Sequence, residues 1–95
     1  MTELQALRLE LDKIDSELVK LFERRMALSL AVGRYKKANR MAVLDSKREA
    51  DVLESRMQMC TDESGADDVR KLYECIMALS REKQTKLLLE EGPNA

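Results

Sequence analysis

Three helices and no strand are expected of this chain, and three observations make it all-α: its composition, one long unbroken apolar repeat, and the turn formers that divide the rest of the chain. Of its 95 residues, 44% are hydrophobic and 37% charged, while Pro occurs once, Gly three times, and the aromatics are two Tyr and one Phe. So few breakers and aromatics favour helices over sandwiches or barrels. A chain this short builds little core volume by itself, so a partner chain is expected.

The first element is set by apolar positions at Leu4, Leu7, Leu11, Ile14, Leu18, Leu21, Leu28, Val32 and Tyr35. Steps of three and four sustained this far make a heptad seam. Thr2 and Gln5 have capping-box spacing, and no proline interrupts the pattern before the Asn39-Arg40 region. One helix over about residues 3–38 is implied, roughly 54 Å long at 1.5 Å per residue. Gly33 within it costs about 1 kcal/mol relative to Ala.

A second start signal lies at Asp45-Ser46-Lys47-Arg48-Glu49, where Ser46 and Glu49 repeat the capping-box spacing. Ala50, Val52, Leu53 and Met57 carry a short helix over about 46–59. Thr61 to Gly65 is a run of turn formers, and Asp67 is the expected cap of a third, medium helix over about 67–90. Its apolar positions are Val69, Leu72, Tyr73, Ile76, Met77 and Leu87, and Gly92-Pro93 ends it, leaving a polar tail at 91–95.

The two later helices are too short to cover a seam roughly 54 Å long. A second copy must cover the rest. Two first helices are therefore expected to pack along one another in an intertwined, two-fold symmetric homodimeric bundle.

Charge and cysteine use exclude several functions. Lys plus Arg number 17 against 18 Asp plus Glu, so there is no basic excess to bind nucleic acid. No apolar run approaches the ~20 residues of a membrane span, and the N-terminus lacks a basic leader region, so a cytoplasmic location is expected. Cys60 and Cys75 have no CxxC spacing and read as reduced structural thiols. With no histidine, the Ser/His and Cys/His nucleophile pairs and imidazole zinc sites are excluded. No metal or cofactor is expected.

Polar residues interrupt the apolar stripes. Arg25 falls on the seam between Leu21 and Leu28, where an apolar residue is cheaper to bury. Lys36 lies eleven residues on, three turns to within about 20°, so both cations share a face about 16 Å apart. On the third helix the Leu72, Ile76 stripe continues into Ser80 and Gln84. Arg48 and Glu49 occupy the first turn of the second helix, where Glu49 suits the helix N-terminus. Each alone fits a structural pair or a solvated edge. Together on three helices they make a site for a small anion. Arg8 lies about 25 Å from Arg25 along the helix and about 100° around it, so within one chain the two cannot share a site: Arg8 is either a surface arginine or, in a dimer, a residue that reaches the other chain's site.

The segments LQALRLELDKID, ERRMALSLAVGRYKK, VLDSKRE and ALSREKQ resemble the AroQ chorismate mutases, as in the N-terminal domain of bacterial prephenate dehydratase and dehydrogenase fusions. The resemblance spans nearly the whole chain and brings Arg8, Arg25, Lys36, Asp45, Arg48, Glu49, Ser80 and Gln84 into register. One departure is Ala42, where a Pro is often found. The resemblance implies a homodimeric chorismate mutase domain over 1–95, turning chorismate into prephenate in phenylalanine and tyrosine biosynthesis. It implies that Arg25, with Arg8 from the other chain, holds the two substrate carboxylates. Lys36 then meets the ether oxygen and a carboxylate, Gln84 donates to the same oxygen, and Glu49 accepts from the ring hydroxyl with help from the Asp45 backbone. Arg48 and Ser80 complete the set.

Rival readings remain at this point. A non-catalytic dimerisation module fits the heptads but leaves Arg25, Ser80 and Gln84 unexplained. An anion-sensing domain keeps the pocket without turnover. A pyruvate lyase acting on isochorismate is a nearer alternative within the same family.

Overall fold

The computed structural model describes residues 1–91, with side chains through residue 90, so the expected stop at Gly92-Pro93 lies outside the described residues. Helix α1 spans Glu3–Ala38. It opens on a complete capping box: Gln5 N–H donates to Thr2 Oγ1 at 3.1 Å and Thr2 N–H to Gln5 Oε1 at 2.8 Å.

Its other end is a Schellman motif. Met41 N–H donates to the Lys36 carbonyl at 2.7 Å and Arg40 N–H to the Lys37 carbonyl at 3.2 Å. This closure needs a left-handed residue, and Arg40 takes it at φ 55° although it is not glycine.

Helix α2 spans Ser46–Gln58. The expected cap at Ser46 is corrected: Asp45 is the N-cap, accepting from Arg48 N–H at 3.0 Å. Asp45 has the extended backbone that a cap requires, and its charge complements the helix N-terminus. Helix α3 spans Ala66–Glu91 and comes after a 3-10 turn, Glu63–Gly65. The expected cap at Asp67 is likewise corrected, because the 3-10 turn runs directly into α3 and puts Asp67 inside its first turn. Asp62 caps the turn instead, accepting from Ser64 N–H at 2.9 Å.

Helix α3 packs against both other helices, while no Cα of α1 lies within 8 Å of one in α2. The chain measures 58 × 28 × 14 Å, and its radius of gyration of 17.1 Å exceeds the ~12 Å of a compact chain this long. Among the described residues only Val52 and Met77 of the apolar side chains are buried, whereas Leu4, Leu7, Leu11, Ile14, Leu18, Leu21 and Leu28 are exposed. The accessible surface is 7662 Å², against roughly 5,600 Å² for a compact monomer of this mass. Among the described residues no helix is long and apolar enough to cross a membrane.

Candidate active site

Where α1, α2 and α3 converge, they enclose an open cavity of about 320 Å³. Its α1 wall carries Arg25, Ser29, Val32 and Lys36, residues three or four apart that stand on one face. Arg48, Glu49, Val52 and Arg56 come from α2, Met77, Ser80, Arg81 and Gln84 from α3, and Val43 and Asp45 from the loop. Apolar Val52 and Met77 form the floor.

Gln84 and Ser80 are the buried polar groups of this wall, 5% and 9% exposed, so each must find partners inside. The Gln84 amide nitrogen donates to the Ser29 carbonyl at 2.7 Å and to Ser29 Oγ at 3.0 Å. Ser80 Oγ accepts from Arg25 Nη1 at 3.5 Å and donates to Met26 Sδ at 3.7 Å. Gly33 explains how α3 comes so close. A Cβ built on it would stand 2.9 Å from Gln84 Cγ and 3.3 Å from Gln84 Cβ. Its helix penalty is the condition of the Gln84 approach.

The loop shapes the cationic end. The Schellman turn brings the chain back so that Lys36 Nζ donates to the Val43 carbonyl at 2.7 Å. Across the cavity the Arg81 guanidinium donates to Glu49 Oε1 and forms a salt bridge with it. Arg25 and Arg56 lie over the Tyr73 ring, at 5.7 and 5.8 Å from its centroid. Among the described residues, no carboxylate is ion-paired with Arg25, Lys36, Arg48 or Arg56.

The structure therefore brings Arg25, Lys36, Asp45, Arg48, Glu49, Ser80 and Gln84 to one cavity, but not Arg8, which is exposed on the N-terminal half of α1. Sequence reasoning passed over Ser29, Arg56 and Arg81. Ser29 had a usable signal, since it is four residues after Arg25 and seven before Lys36. Arg81 had none, because its partner Glu49 belongs to a different helix. Cys60 is half-buried and Cys75 exposed, both free thiols away from the cavity.

Four cations with no ion-paired carboxylate among the described residues, a buried amide and a buried hydroxyl around one cavity between helices are groups that suit a small polyanion. The chorismate mutase type II family model matches residues 7–85, and the chain belongs to that family. It is thus an enzyme of the conversion of chorismate to prephenate. No curated protein and no solved structure matches the chain.

Proposed function

We propose that this cavity is where the mutase reaction takes place, and that the working unit is an intertwined homodimer of one mutase domain, residues 1–95, in the cytoplasm. The observation that carries the site is the convergence of Arg25, Lys36, Arg48 and Arg56, none of them paired with a carboxylate among the described residues, on the buried Gln84 and Ser80. A dianion entering there replaces water around both partners with charge-assisted hydrogen bonds.

The rearrangement is unimolecular: the ether C–O bond breaks as a C–C bond forms, with no proton transfer and no nucleophile. The protein has two tasks, to hold the enolpyruvyl arm over the ring and to stabilise charge developing on the ether oxygen. Arg25 clamps one carboxylate and Arg8 of a second copy the other. Lys36 leaves the Val43 carbonyl to share its ammonium between the ether oxygen and a carboxylate. Gln84 keeps its bond to the Ser29 carbonyl and turns its second N–H from Ser29 Oγ to the ether oxygen. Glu49, oriented by Arg81, accepts from the ring hydroxyl beside the Asp45 backbone. Arg48 and Ser80 close the set.

The dimer is supported by area. The chain exposes roughly 2,000 Å² more than a compact monomer, and two copies joined along the α1 seam would bury an amount in the range of obligate dimers. The same arrangement gives Arg8 a route to the other chain's cavity.

The test monitors chorismate absorbance with purified protein and confirms prephenate as product, alongside light scattering of the same sample. Turnover by a dimer, lost in a folded Arg25→Ala protein, is expected. Turnover unaffected by Arg25→Ala would remove the cavity from the chemistry, and an active monomer would remove the dimer.

A further inference from the structure

We propose that Arg56 is a substrate-binding residue, forming with Arg25 a two-guanidinium clamp for one carboxylate within a single chain. It rests on the mutase reading for the identity of the ligand and goes beyond it, since that reading assigns Arg56 nothing.

The placement is built from three helices. Arg25 comes from α1, Arg56 from α2, and both guanidinium carbons lie within 6 Å of the ring centroid of Tyr73 on α3. Both side chains line the cavity, and both are half-buried. Two like charges gathered on one ring repel each other, most of all where water is partly excluded. The negative charge over the ring that each guanidinium meets offsets part of that repulsion. Carboxylates do not offset the rest: Arg25 is bonded to Ser80 Oγ and Arg56 to Ser55 Oγ at 2.8 Å, and neither has an acidic partner among the described residues.

An exposed, ion-paired arginine of the same chain offers a contrast. Arg70, exposed on α3, forms an ion pair with Glu74 one turn away. Around Arg56, Asp51 and Glu54 on its own helix stand five and two positions away, off its face, and its ring partner Tyr73 holds it at the cavity wall. A carboxylate between Arg25 and Arg56 would neutralise the repulsion and accept from two planar forks. The ligand is therefore a small dianionic dicarboxylate, with one carboxylate at this end and the other left to the remaining cations.

The experiment titrates prephenate, which keeps both carboxylates and needs no turnover, into the 95-residue wild-type chain and into Arg56→Met and Arg56→Lys by calorimetry. Chorismate kinetics are measured on the same samples. Met keeps the apolar stem, and thermal melts confirm folding. Arg56→Met is expected to weaken prephenate binding on the order of 10- to 100-fold, as for loss of a charged hydrogen bond. KM should rise in step with kcat little changed, and Lys should restore only part of the affinity because it cannot fork. Arg56-dependent prephenate binding by a protein that fails to turn over chorismate would support the clamp while sinking the catalytic reading. Normal turnover with prephenate affinity unchanged in Arg56→Met would overturn the clamp alone, and a wild type that does not bind prephenate would overturn it as well.

Discussion

Replacing Gly33 by Ala inserts one carbon at the point where α3 meets α1. The new Cβ would stand 2.9 Å from Gln84 Cγ, against an ordinary carbon contact of about 3.5 to 4.0 Å. Gln84 must therefore retreat by roughly 0.6 Å or more. The first affected atom is in the middle of the side chain, with Gln84 Cβ next at 3.3 Å, so a simple rotation of the amide does not relieve the clash. The stability effect is a difference. Overpacking costs about 1 to 3 kcal/mol, and Ala returns about 1 kcal/mol of helix propensity, leaving a net loss of about 0 to 2 kcal/mol.

Activity should respond more strongly. A misplacement of about 1 Å costs on the order of 10²-fold in rate, so a shift of this size predicts a fall in kcat of about tenfold, or about 1.4 kcal/mol. The assay is chorismate disappearance with Gly33→Ala, Gln84→Ala and the double variant, with melting curves on each. If the glycine acts through Gln84, adding Gly33→Ala to Gln84→Ala should cost little more. Wild-type kcat in folded Gly33→Ala, or fully additive losses in the double variant, would refute the reasoning.

Three further outcomes are expected. Gln84→Glu should be slow at neutral pH, where a carboxylate faces the developing charge, and should recover as acid protonates it; a flat pH profile would count against contact with the ether oxygen. Arg40→Gly should stabilise the protein by about 0.5 to 1 kcal/mol, because a left-handed residue costs about 1 to 2 kcal/mol and the looser unfolded chain takes back part of that gain. A lower melting temperature at fixed protein concentration would show that Arg40 has another role. Bonds from the Ser64 backbone N–H and hydroxyl hold the Asp62 carboxyl below its usual 3.8. Its contribution should be complete above that value and lost as pH falls through the lower folded one, so wild type and Asp62→Ala should differ near pH 6 and converge in acid. Melts that stay equally far apart at every pH would assign the difference to something other than the charge.

The properties legible in the sequence were those of single helices. The α1 seam comes from steps of three and four, and the same arithmetic put Arg25 with Lys36 and Ser80 with Gln84, because 3.6 residues per turn fixes which side chains share a face. The capping box of Thr2 and Gln5 was legible for the same reason, as both partners lie within one turn. The α2 start was misread because two acceptors compete there, and backbone geometry chose Asp45 over Ser46; at α3, Asp67 lies inside the first turn and Asp62 caps the 3-10 turn that leads into the helix.

Tertiary structure alone decided which faces meet. Ser29 against Gln84, Arg81 against Glu49, and Tyr73 against both Arg25 and Arg56 join helices separated by turns whose paths no periodicity encodes. Gly33 shows the division most directly. Along the sequence it is a defect in a helix, and only the approach of Gln84 makes it a requirement, because the property that matters is the absence of a Cβ in the space another helix occupies.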